Sequence, residues 1–325
     1  NPSVAARVTQ HIRKNGLQLG IIGVLFGLWL LFIAGAPQTF LKPDIYRALM
    51  TSVPYWGVIA LPLTMVIIAG DIDLSFISIM AVGMVAFWPV YDWTGSLGVA
   101  FAGCLAVGFL VGLLNGIIIV GLGIPALIAT IGTQFFWRGA VLVLSQGQSG
   151  TLLYVKESFL YPLFVGKIGG YFPMQMIWLI LITILGWIFL NRHKFGAHVY
   201  LIGDNIESAK LMGINTGRVR IQTFMLVGLV SAFAGIVASF HVVYFWPSLG
   251  EGYLLRTLAS VFLGGTSVFG GVGTILGTFV GAFIIGSIEA ATVAIGLTGF
   301  WTQLIYGLLI VLSVIMHTYL RKRVE

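Results

Sequence analysis

Charged residues are scarce in this chain. Lysine, arginine, aspartate and glutamate make up 8% of its 325 residues, apolar residues make up 58%, and the mean hydropathy is +1.03. A soluble domain carries roughly 25% charged residues, so a water-exposed globular surface is excluded. A bilayer is the solvent that fits this composition. Because the apolar runs are long and continuous, they predict spanning helices rather than barrel strands.

Residues that commonly carry chemistry are also few. The single cysteine, Cys104, lies in an apolar run, which excludes a disulfide or a cysteine metal cluster within the chain. The sequence contains no GxxxxGK[ST] phosphate loop and no GxSxG nucleophile motif, and its five histidines form no HExxH spacing. His241 is therefore predicted to be structural. We expect no catalytic residue, metal site or cofactor in this chain.

Ten apolar stretches predict an all-α, polytopic membrane protein that forms one domain over residues 1–325. The predicted spans are at about 17–34, 52–70, 74–91, 96–121, 125–145, 173–190, 220–244, 256–270, 273–295 and 300–319. Prolines and glycine-rich breaks interrupt the second, third and eighth of them. An even number of spans places both termini on the same side of the membrane.

Basic residues give this map an orientation. Eleven of the 17 Lys and Arg residues fall on one side, namely Arg7, Arg13, Lys14, Arg192, Lys194, Lys210, Arg218, Arg220, Arg321, Lys322 and Arg323. The positive-inside rule makes that side cytoplasmic. The segment 146–172 is then the longest external loop. The net charge of +7 thus reflects topology and does not indicate nucleic-acid binding.

The chain contains 43 glycines, which suit closely packed membrane helices. Gly277 and Gly281 form a GxxxG pair, and Gly264 and Gly270 lie in a glycine-rich run just before it. Plain helix packing and a gating hinge are both compatible with this pattern.

A polar, helix-like stretch at 196–214 interrupts the apolar chain. Asp204 and Asn205 are good helix N-caps, and Glu207 suits the N-terminal end of a helix dipole. Ile206, Ala209 and Gly213 recur at helical spacing and predict a small-residue face, with Gly213 ending the helix. The alternatives are a docking helix or an ordinary amphipathic cytoplasmic loop.

Five stretches together resemble the ribose-type branch of ABC sugar permeases. They are AGDIDLS (69–75), GLLNG (112–116) followed by GIPALIATIGTQFFWRGAVLV (123–143), FGAHVYLIGDNIESAKLMGINTGRVR (195–220), GEGYLLRTLASVFLGGTSVFGGVGTILGTFVGA (250–282) and FWTQLIYGLLIVLSV (300–314). In that family the third stretch is a cytoplasmic coupling loop. Members of this branch carry simple sugars, autoinducer-2, nucleosides or sugar alcohols. A permease of the related branched-chain amino-acid type, which has a similar coupling loop, is the alternative within the same group.

This resemblance implies a permease subunit of an ATP-driven importer in a bacterial inner membrane, with both termini cytoplasmic. The implied partners are two ABC ATPase subunits or a fused ATPase, a second permease chain (identical or paralogous), a periplasmic substrate-binding protein and membrane lipid. ATP and Mg would be bound by the ATPase alone. Within the coupling loop, at about 191–220, the implied ATPase contacts are Glu207, Ser208, Ala209 and Gly213.

Polar residues within or near the spans are candidates for the solute path, because such residues are expensive in a membrane. The candidates are Asp73, Ser75, Asn115, Gln134, Glu251, Tyr253, Arg256, Glu289, Trp301 and Gln303. Asp73 with Ser75 can instead cap the next helix. Asn115 and Gln134 can be interhelical hydrogen-bond partners, Glu289 can bond a neighbouring helix, and Trp301 can be an interface anchor.

Two residues depart from the family pattern. Asp71 stands where the family has a glycine, and Arg256 lies where it usually has an acidic pair around a leucine. Asp71 and Arg256 can pair with each other. Alternatively, Arg256 can receive an anionic solute or extend to the membrane interface.

Three rivals are weighed against the importer. An ion-gradient-driven secondary transporter would use Asp73 and Glu289 as proton or cation sites. An intramembrane enzyme lacks a supporting motif. A structural scaffold would leave the coupling loop unexplained.

Overall fold

Helices dominate the fold. The computed structural model describes the backbone of residues 4–321 and the side chains of residues 20–315, 318 and 319. Fifteen α-helices lie in this described part: α1 (Val4–Gly35), α2 (Pro37–Phe40), α3 (Pro43–Ser52), α4 (Pro54–Ile68), α5 (Phe76–Thr94), α6 (Leu97–Leu122), α7 (Ala126–Ser145), α8 (Leu160–Val165), α9 (Met174–Asn191), α10 (Lys194–Asp204), α11 (Ile206–Leu211), α12 (Thr216–Val242), α13 (Leu254–Leu263), α14 (Ile275–Ala294) and α15 (Gly299–Arg321).

In residues 4–321 the strands form two small antiparallel pairs. β1 (Gly150–Thr151) pairs with β4 (Tyr244–Phe245), and β2 (Lys167–Ile168) pairs with β3 (Phe172–Pro173). Short 3₁₀ turns cover Leu153–Glu157 and Glu251–Tyr253. Because three of the four strands lie between α7 and α9, the predicted external loop is an ordered connection.

Prolines and glycines set many helix boundaries. Pro43 and Pro54 open α3 and α4, where the missing amide hydrogen would have no helical partner in any case. Gly95 and Gly123 end α5 and α6 in the left-handed region, with φ of 63° and 69°.

Within the described residues, six helices are long and apolar enough to cross a membrane, namely α5, α6, α7, α9, α12 and α14. The pair α3 and α4 becomes a seventh if its 51° bend lies within one span. The apolar parts of the first and tenth predicted spans, Gly20–Gly35 and Gly299–Ile315, are shorter. A polytopic all-α protein is therefore shown, and the count of ten spans stays a prediction.

The eighth predicted span, 256–270, is wrong as a continuous helix. α13 ends at Leu263, and no helix follows until α14 begins at Ile275. A ten-residue helix rises about 15 Å, half of the hydrocarbon thickness. Gly265 and Gly270 take φ of 83° and 84°, which a helix does not allow.

Glycines bring the backbones of α6 and α12 into contact. A Cβ atom placed on Gly112 would collide with the carbonyl oxygen of Phe224, and one placed on Gly228 would collide with that of Gly108. α13 and α14 meet in the same way, because Gly281 lies against the carbonyl oxygen of Ser260. These positions fit close helix packing through small residues. Of the two interpretations of the Gly277–Gly281 pattern, they favour helix packing over a gating hinge.

The helices have two distinct ends. At one, the coupling end, the loops after α4 and α13 meet the α10–α11 segment, because the Gly271 amide donates to the Ile68 carbonyl (2.9 Å) and the Tyr200 hydroxyl donates to Gly273 (2.7 Å). At the other, the distal end, β1 pairs with β4, and the Leu152 amide donates to the Val243 carbonyl (3.0 Å).

Packing at Gly112 gives a test of the α6–α12 contact. We expect Gly112→Ala to lower the free energy of unfolding by roughly 1–3 kcal/mol, because the added methyl group forces the two helices apart. Equilibrium unfolding in mixed micelles measures this. Gly132→Ala in α7 is the matched control, since a Cβ there meets nothing within 4 Å. Equal stability of the two variants would contradict the packing role.

Candidate functional site

The polar segment at the coupling end forms two short helices rather than one. α10 ends at Asp204, and Asn205 caps α11 by accepting a hydrogen bond from the Ser208 amide (2.9 Å). This confirms Asn205 as a helix N-cap, whereas Gly203 and Asp204, which were predicted to start the same helix, lie at the end of α10. The extended backbone of Asn205 (φ −156°, ψ 106°) separates the two helices.

Gly213 ends α11, as predicted. The Gly213 amide donates to the Lys210 carbonyl (2.9 Å), and the Ile214 amide donates to Ala209 (3.1 Å). Gly213 has φ of 79°, so these two hydrogen bonds form a Schellman motif at the end of α11. The ends of α11 are thus fixed by local hydrogen bonds, and its exposed surface has a defined shape.

The outward surface of α11 differs from the predicted small-residue face. Ala209 is fully buried within the chain, so its assignment to a docking face is wrong. The helix turns Ala209 toward the core and leaves Glu207, Ser208 and Gly213 exposed. We call Glu207–Gly213, without Ala209, the coupling surface.

The most exposed apolar residues of the coupling surface were not identified from the sequence. Leu211 is 90% exposed and Met212 is 58% exposed, beside the ion pair of Glu207 with Lys210 at 2.8 Å. Their signal in the sequence is an apolar pair directly before the glycine that ends a polar helix.

Backbone contacts join the α10–α11 segment to the end of α4 and to the loop after α13. A Cβ atom on Gly203 would collide with the Ile68 carbonyl oxygen and lie 2.5 Å from the Gly271 nitrogen. Burial raises the pKa of the Tyr200 phenol, so it stays protonated and can donate to Gly273. α10 is therefore in direct contact with the end of α4 and with the loop that follows α13.

The predicted pairing of Asp71 with Arg256 is wrong. Asp71 receives two hydrogen bonds from Arg220, at 2.7 Å from Nε and 2.6 Å from a terminal nitrogen. Arg256 instead binds Glu289 at 2.5 Å. Arg220 lies in the first turns of α12, which brings it to the coupling end beside Asp71, whereas Arg256 lies in α13 toward the distal end.

A buried polar chain follows Asp71. Asp73 accepts hydrogen bonds from the Ser75 amide (2.8 Å) and hydroxyl (2.6 Å), and Asn115 of α6 donates to Ser75 (2.7 Å). Asp73 therefore holds the residue before α5, and the predicted interhelical role of Asn115 is confirmed. The other oxygens of Asp73 and Asn115 are buried without a hydrogen-bond partner.

Within the described part of the chain, no three His, Cys, Asp or Glu side chains come close enough together to hold a metal ion. Asp73 Oδ2 and Asn115 Oδ1 are buried acceptors that receive no hydrogen bond.

Arg138 of α7 organises the region around Glu251. Its guanidinium donates to the carbonyl oxygens of Ile77 (3.0 Å), Leu249 (2.9 Å) and Pro247, and lies 3.5 Å from the exposed Glu251 carboxylate. The sequence reasoning missed Arg138, although an arginine inside an apolar helix is itself a signal.

Gln134, one turn before Arg138, is half-buried. Its backbone carbonyl accepts a hydrogen bond from Ser78 of α5 (2.8 Å). The structure thus shows an interhelical contact at Gln134 through its backbone.

Glu289 bonds to neighbouring helices. Besides Arg256 of α13, it accepts a hydrogen bond from Tyr306 of α15 at 3.2 Å. The Arg256 guanidinium lies over the rings of Trp56 (5.1 Å) and Tyr253 (5.9 Å). A cavity of about 410 Å³, which we call the paired-charge cavity, is lined in part by Trp56, Arg256 and Glu289.

Trp301 and Gln303 are not brought to these groups. Both are exposed on the surface of α15, whereas Tyr306 on the same helix faces Glu289. Helical spacing accounts for Trp301, which lies on another face of the helix than residue 306; Gln303, three residues before Tyr306, lies nearer that face and is exposed nonetheless. The Trp301 position fits the interface-anchor alternative.

The chain is similar in sequence to known membrane permeases. The family model described as "Branched-chain amino acid transport system / permease component" matches residues 45–314. The autoinducer 2 import system permease protein LsrC of Klebsiella pneumoniae is 31% identical over 308 residues, covering 94% of this chain and 87% of the relative. The protein of that name from Enterobacter sp. (strain 638) is 33% identical, covering 81% and 76%. No solved structure matches.

The Asp71–Arg220 pair gives the second test. Asp71 is 6% exposed, so we expect Arg220→Gln to lower the free energy of unfolding by about 3 kcal/mol, because it leaves a buried charge unpaired. The double variant with Asp71→Asn should recover part of that loss in a double-mutant cycle. The exposed Glu207–Lys210 pair is the control, with an expected coupling within about 1 kcal/mol. Additive effects at Asp71 and Arg220 would contradict the pairing.

Proposed function

Because the chain belongs to the branched-chain amino acid transport system / permease component family, we propose that it is the membrane subunit of an ATP-driven ABC importer for a sugar-like small polar solute. The resemblance seen in the five motifs is confirmed at the level of the family. In this proposal the chain performs no chemistry. It alternates between outward-open and inward-open states while a partner ATPase hydrolyses ATP.

The observation that carries the proposal is the construction of the coupling surface. A short helix capped at both ends presents exposed Leu211 and Met212 beside Glu207. An exposed apolar anchor beside a charged rim suits a groove on a partner protein. Since Gly203 contacts the last residue of α4 and the loop after α13, a force on this surface would reach the non-helical segments that follow both helices.

The proposed orientation places the coupling end in the cytoplasm. Arg192, Lys194, Lys210, Arg218 and Arg220 belong to this end, where the positive-inside rule requires basic residues. Both termini are then cytoplasmic in the ten-span map of a bacterial inner membrane. The connection between α7 and α9 faces the periplasm, where a binding protein would deliver the solute.

The proposed path runs between the distal end and the buried Asp73–Ser75–Asn115 chain. Tyr253, Arg256 and Glu289 offer an aromatic ring and a charge pair near the distal end, a combination that suits hydroxylated solutes. Relatives named autoinducer 2 import permeases support a small polar solute of this kind. A second permease chain would complete the path.

The ion-driven alternative has one supporting observation. The buried Asp73 carboxylate retains an unpaired oxygen, which a proton or cation can occupy. Glu289 is less suited, because Arg256 and Tyr306 already bind it. Uptake that survives ATP depletion and stops when the ion gradient is dissipated would favour this alternative.

Isolation of the chain in mild detergent tests the proposed partners. We expect mass spectrometry of the purified complex to identify an ATPase that carries a phosphate-binding loop, together with a second permease chain. Recovery of the chain alone, from membranes with ATP-independent uptake, would overturn the importer proposal.

Charge reversal at the coupling surface tests the mechanism. We expect Glu207→Lys to insert and fold normally but to reduce solute-stimulated ATP hydrolysis and uptake by about tenfold or more, because a like-charge contact across an interface costs several kcal/mol. Leu211→Ser should act in the same direction by removing the apolar anchor. Proteoliposomes containing the complete transporter provide both measurements.

Glu157→Lys is the matched control. Glu157 is an exposed acid in the connection between α7 and α9 at the distal end, so its reversal should leave the coupling of ATP hydrolysis to uptake unchanged. Normal transport by both coupling-surface variants would refute the assigned role of this surface.

A further inference from the structure

A second cavity, of about 340 Å³, lies at the distal end beside α3. We call it the basic cavity. The residues that matter here come from four elements: Arg47 and Thr51 of α3, Tyr55 of α4, Lys167 and Tyr171 of the β2–β3 hairpin, and His241 of α12. Its volume falls within the range of small-molecule sites, roughly 300–1,000 Å³.

The charges that line this cavity have one sign. Arg47, Lys167 and His241 are basic, and none of the residues lining it is acidic. Lys167 forms no ion pair with any described residue. Arg47 lies 3.5 Å from the exposed Asp44, a surface pair that water screens strongly. The cavity therefore attracts anions.

The Arg47 guanidinium is held in place. It lies 3.8 Å from the centroid of the Tyr171 ring, so a cation–π contact orients it. The hairpin that carries Lys167 thereby fixes Arg47 as well, and both cations border the same space.

Hydrogen-bond donors at the cavity lack acceptors. Arg47 Nε and the Tyr55 hydroxyl are buried without a hydrogen-bond partner, and so is the side-chain carbonyl oxygen of the neighbouring Gln175. The Gln175 amide nitrogen lies 3.3 Å from His241 Nδ1. An amide nitrogen only donates, so Nδ1 accepts and the proton resides on His241 Nε2. Buried donors normally find partners, so this set points to a missing acceptor.

The basic cavity adjoins the paired-charge cavity. Both are bordered by Ala48 and Ser52, so α3 separates them. The Tyr55 ring stacks on Tyr253 at 6.4 Å, and Tyr253 lies 6.1 Å from Trp56 of the paired-charge cavity. A solute bound beside Tyr55 is thus next to the proposed path.

We propose that the basic cavity binds a small hydroxylated solute through an anionic group, either a carboxylate or a phosphate. Arg47 and Lys167 face the anion, and Tyr55 and His241 donate to its oxygens or to neighbouring hydroxyl groups. That this solute is the one transported rests on the proposed function. The binding itself requires neither ATP nor a partner.

Matched sugars provide the test. The full chain in neutral-lipid nanodiscs is titrated calorimetrically with D-ribose, D-ribonate and D-ribose 5-phosphate. We expect at least one of the two anions to bind about tenfold or more tightly than ribose, because charge-assisted hydrogen bonds are the stronger ones. Preference for one anion over the other identifies carboxylate or phosphate as the group recognised.

Variants locate the binding. Lys167→Gln should weaken binding of the preferred anion about tenfold and leave ribose binding unchanged. Lys156→Gln is the matched control, because Lys156 is an exposed lysine in the same α7–α9 connection but does not line the cavity. Tyr55→Phe, which removes only the hydroxyl, should weaken both anion and sugar binding.

Two results would overturn the proposal: anions that bind no better than ribose, or anion binding that Lys167→Gln leaves intact. Neither result depends on the coupling surface. If anion binding holds while the Glu207 and Leu211 variants transport normally, the site stands and the ATP-driven mechanism falls. If anion binding fails while those variants uncouple transport, the importer stands without this site.

Discussion

The need to satisfy backbone hydrogen bonds away from water shapes this molecule at two non-helical segments, which we call the helix breaks. Residues between α4 and α5 and between α13 and α14 leave the helical hydrogen-bond pattern, which hydrocarbon does not tolerate at a lipid-facing surface. The protein satisfies them internally, since Gly271 donates to Ile68 and Tyr200 donates to Gly273. Gly203 permits this approach by having no side chain. The same contacts that make the breaks tolerable therefore bind them to the coupling segment.

Scarce charges reinforce this arrangement. Asp71–Arg220 connects the first break to the start of α12, and Arg256–Glu289 connects α13 to α14. Removing a partner from such a pair leaves an uncompensated charge, so each pair resists separation of the elements it joins. The α13 break is thus held by a backbone contact at the coupling end and by a charge pair toward the distal end. α13 is positioned to transmit motion between the two.

Sequence reasoning succeeded where local physics decides the outcome. The Asn205 cap, the Gly213 helix end and most helix positions follow from short-range preferences, and the family follows from the motifs. It failed where tertiary geometry decides. A buried carboxylate needs a partner, but spacing along the chain does not reveal that Asp71 meets Arg220, 149 residues away. Likewise, helical periodicity in a six-residue helix could not tell whether Ala209 faces the core or a partner. Arg138 could have been identified from the sequence alone, because a charged residue within an apolar span is itself a functional signal.

The two cavities beside α3 differ in a way that matters for transport. An anion attracted to this cavity meets Lys167, which has no ion-pair partner among the described residues, and Arg47, which is paired only with the exposed Asp44, whereas Arg256 beyond α3 is balanced by Glu289. A site that held the anion equally strongly at every step would trap it, because conduction needs binding that is weak enough to release. The neutralised pair lowers the attraction at the second position, while the Trp56 and Tyr253 rings remain available to the uncharged part of the solute. Charge would therefore act in capture at the distal end, and aromatic contact would act in passage.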